Sequence, residues 1–130
     1  MSVIRRDYPE IAPAGPYYSR GVRAGGFLFI AGCTARGTEA QGGPLMDQLR
    51  VTLDRITRIA AEEGAKPGDI VKITTFVTSI MDWIDDATEQ QALFTEFFKD
   101  EYPANTLVEI TALAEPGLDV EIEAIVSLSQ

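Results

Sequence analysis

The stretches YPANTLVEI at positions 102–110 and VEIEAI at positions 120–125 decide how this chain folds, because both read as β-strands. Side chains two residues apart on a strand point to the same face. In the second stretch Glu121 and Glu123 therefore share one face, and the apolar residues that alternate with them share the other. A strand of this kind is typical of a sheet that is covered on one side and open on the other.

Upstream of these strands, the sequence predicts a hairpin followed by a helix. Strands are expected at Tyr18–Ala24 and Phe27–Cys33, and Gly25-Gly26 between them is a strong signal for a two-residue turn. After a glycine-rich loop, a helix is predicted from Pro44 to Glu63, with Gly64 as its C-cap. Leucine and isoleucine recur in this helix at steps of three and four residues, which indicates one buried stripe.

The middle of the chain predicts a long strand and a second helix. The strand is expected at Ile70–Ile80, where β-branched residues are frequent. The helix is expected from Ile84 to Lys99, with Asp82 as its N-cap. Pro103 separates that helix from the last two strands, and Pro116-Gly117 forms the turn between them. Alternation in the long strand predicts one shared face for Val71, Ile73, Thr75 and Val77.

This order of elements, β-β-α-β-α-β-β, predicts a two-layer α/β (α+β) sandwich with two helices on one face of a single sheet. The 130 residues suit one domain, spanning residues 1–130. The uncovered face is too apolar to be left in water. We expect it to be buried against copies of the same chain, and its predicted members are Phe76, Leu107, Leu113 and Ile125.

Charge argues against nucleic acid as a partner. The chain has 20 acidic and 11 basic residues, a formal net charge of −9, and the acidic residues are spread along its length. Affinity for a phosphate backbone comes from clustered lysine and arginine, which this sequence lacks.

Histidine is absent from the chain and cysteine occurs once, at position 33. The absence of histidine excludes Ser-His-Asp and Cys-His catalysis and removes the usual transition-metal ligand, so no metal site is expected. The single Cys33 cannot form an intrachain disulfide, which suits a reducing cytoplasm. No apolar run approaches 18 residues and the N-terminus lacks the apolar core of a signal peptide, so neither membrane insertion nor export is expected.

Five short motifs, found in a fixed order, carry a family resemblance. They are GPY at 15–17, IAG at 30–32, GDIVK at 68–72, YPA at 102–104 and VEIEAI at 120–125. Together they resemble the reactive intermediate deaminase (Rid, or YjgF-type) family over about residues 13–128. The resemblance implies a chorismate-mutase-like fold and a homotrimer whose sheets form a central barrel, with a ligand pocket in each cleft between subunits. It also implies hydrolysis of an enamine or imine without a cofactor.

The resemblance also implies roles for particular residues, and each of them has a structural alternative. The family's catalytic glutamate, which orients the attacking water, matches Glu121, which could instead be a solvated or interface carboxylate. The ligand-contacting tyrosine matches Tyr17, which could simply pack under the N-terminal turn. Backbone groups that help to hold the substrate match Ala31, Gly32 and Cys33. Cys33 could also be a nucleophile, although a buried, inert thiol is the simpler interpretation.

One residue departs from the family pattern. In deaminases of this family the Pro-Ala pair is followed by an arginine that binds the substrate carboxylate, whereas this chain has Asn105. A guanidinium donates two parallel hydrogen bonds and is permanently charged, and a neutral amide cannot neutralise an anion. A changed substrate preference is therefore predicted, unless Arg36, Arg20 or Arg23 supplies the missing cation.

Three functions are consistent with the sequence. The first is deamination of an enamine or imine of a small metabolite, with release of ammonia. The second is a small-molecule-binding trimer without turnover, in which Asn105 and Glu121 hold a polar ligand. The third is a chaperone-like or other protein-interaction role. Replacement of Glu121 by glutamine discriminates the first two, because it should abolish turnover and spare the binding of a neutral ligand.

Overall fold

Residues 2–128, which the computed structural model describes, form a six-stranded sheet and three helices. The strands are β1 (Ile4–Arg6), β2 (Gly21–Ala24), β3 (Phe27–Cys33), β4 (Ile70–Val77), β5 (Ala104–Glu109) and β6 (Val120–Ser127). The helices are α1 (Leu45–Glu62), α2 (Ile80–Asp85) and α3 (Ala87–Phe98), and a 3₁₀ turn at Pro67–Asp69 precedes β4. The predicted mixed α+β fold with one sheet is confirmed.

The sheet has the strand order β1-β2-β3-β6-β4-β5. Only β4 and β5 run parallel, and every other neighbouring pair is antiparallel. Gly25 and Gly26 both have positive φ, 59° and 82°, as the predicted hairpin turn requires. The sequence did not predict β1, whose three residues are all exposed and therefore show no apolar alternation.

Among the helices, α1 supplies the largest share of the core. It begins directly after Pro44 and ends at Glu62, within one residue of the prediction, and Gly64 then reverses the chain with φ = 85°. Its buried face, which includes Leu49, Leu53 and Ile56, packs against β3 and β6. Truncating one of these leucines to alanine should cost about 2–5 kcal/mol of folding stability.

No helix in the described part of the chain is long and apolar enough to cross a membrane.

The predicted second helix is wrong in its start and in its continuity. The chain turns into α2 at Ile80 because the Ser79 hydroxyl accepts a hydrogen bond from the backbone N–H of Asp82. The N-cap is therefore Ser79 and not Asp82. This earlier start also ends β4 at Val77, three residues before the predicted end. Asp86 then separates α2 from α3, so two helices replace the single predicted one.

A bulge in β4 corrects the predicted face of Val71. Ile70 pairs with Val126 and Lys72 pairs with Ile125, so Val71 is an extra residue without a partner on β6. An inserted residue reverses the alternation on one side of the bulge. Val71 is consequently exposed, whereas the downstream residues of the predicted covered face are buried. Those residues are Ile73, Thr75 and Val77.

The open face of the sheet carries partly exposed aromatic and aliphatic side chains. Phe29 pairs with Ile125, and Phe27 lies two residues before Phe29 on the same face, with the two ring centroids 6.4 Å apart. Phe76 belongs to this face as predicted. Leu107 does not, because it pairs with Thr75, whose side chain is buried under the helices.

Candidate active site

A cavity of about 720 Å³ opens at one end of the sheet. β3 continues past the end of β2 there, and its pairing with β6 shifts register between Ile30 and Cys33. The cavity walls are the segment at residues 9–14, the shifted end of β3, the loop that follows it, Arg55 of α1, and Glu121 on β6. Four predicted site residues line it: Ala31, Gly32, Cys33 and Glu121.

Gly32 and Glu121 fit together in this cavity. A Cβ atom added to Gly32 would lie 2.7 Å from the carboxyl carbon of Glu121 and 2.9 Å from its Cγ. Any other residue at position 32 would therefore force the glutamate side chain to move. The glycine is needed here because a carboxylate occupies the space that its side chain would fill.

The Glu121 carboxylate is half-buried, and within residues 2–128 it forms no ion pair or hydrogen bond with another side chain. Burial raises the pKa of this carboxyl above its ordinary value, the Arg20 charge opposes the shift, and the neighbouring Glu123 adds to it. A carboxyl whose pKa is raised by burial is a better proton acceptor than an exposed one. Glu121 therefore has the properties of a general base that faces a cavity.

Arg20 is buried beside Glu121 and fixes two walls of the cavity. Its side chain is 5% exposed, and its donors reach the carbonyl oxygens of Ala12, Pro13, Ala31 and Gly32 and the hydroxyl of Tyr18. A guanidinium has five N–H donors, and five hydrogen bonds use them all. Arg20 is thus fully occupied by the protein, so it holds the cavity wall and has no donor left for a ligand.

Cys33 lies in the cavity wall with its thiol buried. Its side chain is 1% exposed, and burial raises the pKa of the thiol to about 11, although the charges of Arg20 and Arg55 oppose the shift. At neutral pH only about one molecule in 10⁴ would carry a thiolate at this position. Among the described residues, no cluster of histidine, cysteine, aspartate or glutamate could hold a metal ion.

Asn105 lies on the opposite face of the sheet from Glu121. Glu121 pairs with Phe76 and Phe76 pairs with Val108, so these three side chains share the open face. Asn105 is three residues before Val108 and points to the helix side, where its Oδ1 accepts a hydrogen bond of 3.0 Å from the buried hydroxyl of Thr75. Within one chain, Asn105 and Glu121 cannot contact the same small ligand.

The tyrosine in the cavity is Tyr18 and not its predicted neighbour. Tyr17 is 95% exposed and lies outside the cavity of its own chain. The ring of Tyr18 lies 5.2 Å from the guanidinium carbon of Arg20. Successive side chains diverge in this segment, so a GPY motif that is followed by a second tyrosine does not show which tyrosine turns inward.

Arg55 was missed as a lining residue because the helix pattern assigns it to the polar side of α1. It projects into the cavity, and its Nη1 donates to the carbonyl oxygen of Thr34 at 2.7 Å. One signal was present in the sequence. Arg55 lies four residues before the apolar Ile59, and such a spacing places a residue at the border of a buried stripe.

The chain matches the family model described as Endoribonuclease L-PSP over residues 9–128. It therefore belongs to this family, that of the Rid and YjgF-type proteins, as the five motifs predicted. The nuclease activity that this description names is not supported by the net charge of −9, because binding to a phosphate backbone depends on lysine and arginine.

Relatives and solved structures agree with this assignment. The chain is 35% identical over 120 residues to the 2-iminobutanoate/2-iminopropanoate deaminase of Escherichia coli K12, covering 89% of this chain and 91% of the other. It is 34% identical over 116 residues to a RutC family protein of Pyrococcus horikoshii, covering 87% of each. A YjgF/YER057c/UK114 family structure from Mycobacterium tuberculosis superposes with a TM-score of 0.71 at 35% identity, covering 85% of this chain and 86% of the other. The structure of RidA from a Psychrobacter species superposes with a TM-score of 0.76 at 27% identity, covering 91% of this chain and 94% of the other.

Proposed function

We propose that this protein is an enamine or imine deaminase that hydrolyses a C=N bond of a small metabolite and releases ammonia. The observation that carries the proposal is the Glu121 carboxylate. It is half-buried, faces a cavity, has a raised pKa and is packed against Gly32. The family includes relatives named as deaminases of 2-imino acids, which supports the same reaction class.

The reaction needs one proton acceptor and no cofactor. Glu121 takes one proton from water as the water oxygen bonds to the carbon of the protonated imine, which gives a carbinolamine. It then returns that proton to nitrogen, and the C–N bond breaks as the hydroxyl oxygen forms the C=O bond and releases its own proton, so the protonated imine and water become a carbonyl compound and ammonium. A positioned carboxylate typically contributes 10²–10⁴-fold to such a step. Closeness of the reacting groups inside the cavity supplies a further part of the acceleration.

We propose that the working unit is a homotrimer with ligand sites between its subunits. Partly exposed apolar side chains on the open face, Phe29 and Ile125 among them, favour self-association. Because Asn105 and Glu121 lie on opposite faces of one sheet, they can meet one ligand only if they come from two copies. Tyr17, exposed in its own chain, is proposed to contact a ligand in the same way.

Substrate preference is proposed to differ from that of deaminases with an arginine after the Pro-Ala pair. The Asn105 amide is neutral and its oxygen already accepts a hydrogen bond from Thr75. It can offer its amide nitrogen to a polar ligand, but it cannot neutralise a carboxylate. The anion, if there is one, must therefore be bound by a different residue. We place the reaction in the cytoplasm, where a single buried thiol stays reduced.

The test is ammonia release from freshly generated imines, some with and some without a carboxylate, for the wild type, Glu121→Gln and Glu123→Gln. Glu123 is the matched control, because it lies two residues away on the same face and is exposed. Turnover that falls at least 100-fold in Glu121→Gln and survives in Glu123→Gln supports the proposal. A wild type that binds ligands and releases no ammonia would favour the small-molecule-binding trimer instead.

The oligomer is tested separately by sedimentation equilibrium. The wild type should have three times the 14.2-kDa mass of the chain. Phe29→Glu places a charge on the open face and should shift the distribution towards smaller species. A monomeric wild type at micromolar concentration contradicts the trimer.

A further inference from the structure

Three arginines line the cavity, and two of them already have partners. Arg20 uses all five donors on protein oxygens. Arg36 is paired with Glu115, with 2.6 Å between Nε and Oε2. Arg23, the third cation that the sequence suggested, pairs with Glu63 at 2.8 Å and is not part of the cavity lining. Arg20 therefore has no free donor for a ligand, and Arg36 and Arg23 are already paired with carboxylates.

Arg55 differs from them. In the described part of the chain it forms no ion pair, and its hydrogen bond to the carbonyl oxygen of Thr34 uses one of its five N–H groups. Burial lowers the pKa of its guanidinium from the ordinary value; the nearby charges of Arg20 and Arg58 act in the same direction, whereas Cys33 and Asp54 oppose the shift. A half-buried cation without a counter-ion is costly, and an anion bound beside it would offset that cost.

We propose that Arg55 binds the carboxylate of the ligand in this cavity, so that the cation comes from helix α1 and not from position 105. The four free N–H groups of its guanidinium can hold a carboxylate in the two-pronged geometry that arginine favours. The ligand class is a small monocarboxylate with an imine, enamine or carbonyl group next to it.

Charge balance favours one negative charge on the ligand over two. Glu121 and Glu10 line the same cavity and are acidic, and a doubly charged group such as a phosphate would be repelled by them. A single carboxylate matches a single free guanidinium and leaves the C=N group available to Glu121. The identity of the reacting C=N group rests on the proposed function. The predicted binding of a carboxylate to Arg55 does not depend on it.

The test is therefore binding, measured by calorimetry with 2-oxobutanoate, which has a carboxylate and no nitrogen to release. Butanone, which lacks the carboxylate, is the neutral comparison. The variants are Arg55→Gln, Arg55→Lys and Arg58→Gln, the last being an exposed arginine on the same helix, 3.7 Å from Asp54. Melting temperatures of all four proteins show whether each variant is folded.

We expect the wild type to bind 2-oxobutanoate more tightly than butanone. Arg55→Gln should lower the affinity for 2-oxobutanoate by at least tenfold. Arg55→Lys should retain part of the affinity and Arg58→Gln all of it. Folded Arg55→Gln that binds 2-oxobutanoate as the wild type does overturns the inference, and so does a wild type that binds no carboxylate. If Arg55 proves necessary for binding while no imine is turned over, the inference stands and the deaminase proposal fails.

Discussion

Gly32 and Glu121 share one space, since a Cβ on the glycine would lie 2.7 Å from the carboxyl carbon of the glutamate. These residues are 89 positions apart in the sequence, and the register of β3 on β6 brings them together. The wall of the cavity and its candidate base are thus parts of one packing arrangement.

Gly32→Ala should reduce activity far more than stability. The clashing atoms belong to the end of a flexible side chain, so the glutamate can swing away without unfolding the protein. Displacement of a proton acceptor by 1 Å can cost about 100-fold in rate. Gly68→Ala is the matched control, because its Cβ would lie 2.9 Å from the carboxyl carbon of Glu101, outside the cavity. Equal loss of turnover in both variants, with both folded, would contradict the assignment of Glu121.

The pH dependence of kcat/KM should report the Glu121 carboxyl. The reaction requires the carboxylate, so the rate should rise with pH and level off above the pKa. Because burial raises this pKa, the acid limb should lie above the value of about 4.3 expected for a free glutamate.

Glu123→Gln provides a second test of the acid limb of the kcat/KM profile. Removing that neighbouring negative charge lowers the pKa of Glu121, so the limb should move to lower pH. Profiles measured from about pH 4 to 8 decide the point. A rate that is flat or falls as pH rises through this range is incompatible with Glu121 as the base.

The hydrogen bond between Thr75 and Asn105 should be visible in a double-mutant cycle. Asn105→Leu leaves the fully buried Thr75 hydroxyl without its acceptor, at a cost of about 1–3 kcal/mol. Thr75→Val removes the hydroxyl, so the double variant should be more stable than the sum of the single effects predicts. Urea unfolding at one protein concentration measures the cycle, and strict additivity would show that the two side chains do not interact.

Glu63 should make folding stability depend on acid pH. Its side chain is 5% exposed and is held by Tyr8, Arg6 and Arg23, at 2.8, 3.2 and 2.8 Å. Burial alone would raise the pKa of this carboxyl, but the hydrogen bonds and positive charges lower it further than burial raises it. Its stabilising contribution is therefore complete above the unfolded pKa of about 4.3 and is lost as pH falls through the lower, folded value.

Glu63→Gln should accordingly lose stability at neutral pH, by about 1–3 kcal/mol. The difference from the wild type should shrink below about pH 4. Glu96→Gln, which breaks an exposed pair with Arg50, should change stability little at either pH. Unfolding curves at neutral and acid pH measure both variants, and a gap that stays constant or widens in acid would mean that Glu63 is not the titrating group.

Local pattern accounts for much of this fold. The apolar stripe of α1, the alternation of β6 and the Gly25-Gly26 turn are encoded by neighbouring residues, and each lies where the sequence predicts it. The errors arose where a side chain or a bulge overrode the pattern, as Ser79 did at the start of α2 and Val71 did in β4. Both effects depend on single hydrogen bonds or strand registers that a periodicity cannot show.

The site was less accessible to prediction. Glu121, Gly32 and Cys33 were placed together by family motifs, and the structure brings them to one cavity. The unpaired charge of Arg55 could not be predicted, because it depends on which carboxylates lie nearby in space. The opposite orientation of Asn105 and Glu121 required the register of three strands, which no short motif contains.

The hydrogen bonds that occupy all five donors of Arg20 have a consequence for ligand binding. Its hydrogen bonds form during folding, before any ligand binds. They join the backbone of Ala12 and Pro13 on one side of the cavity to that of Ala31 and Gly32 on the other. Little conformational entropy should then be lost at those walls on binding. Selectivity for shape would then come from these preformed walls, while the N–H groups of Arg55 that are not bonded to Thr34 would bind the charge of the ligand.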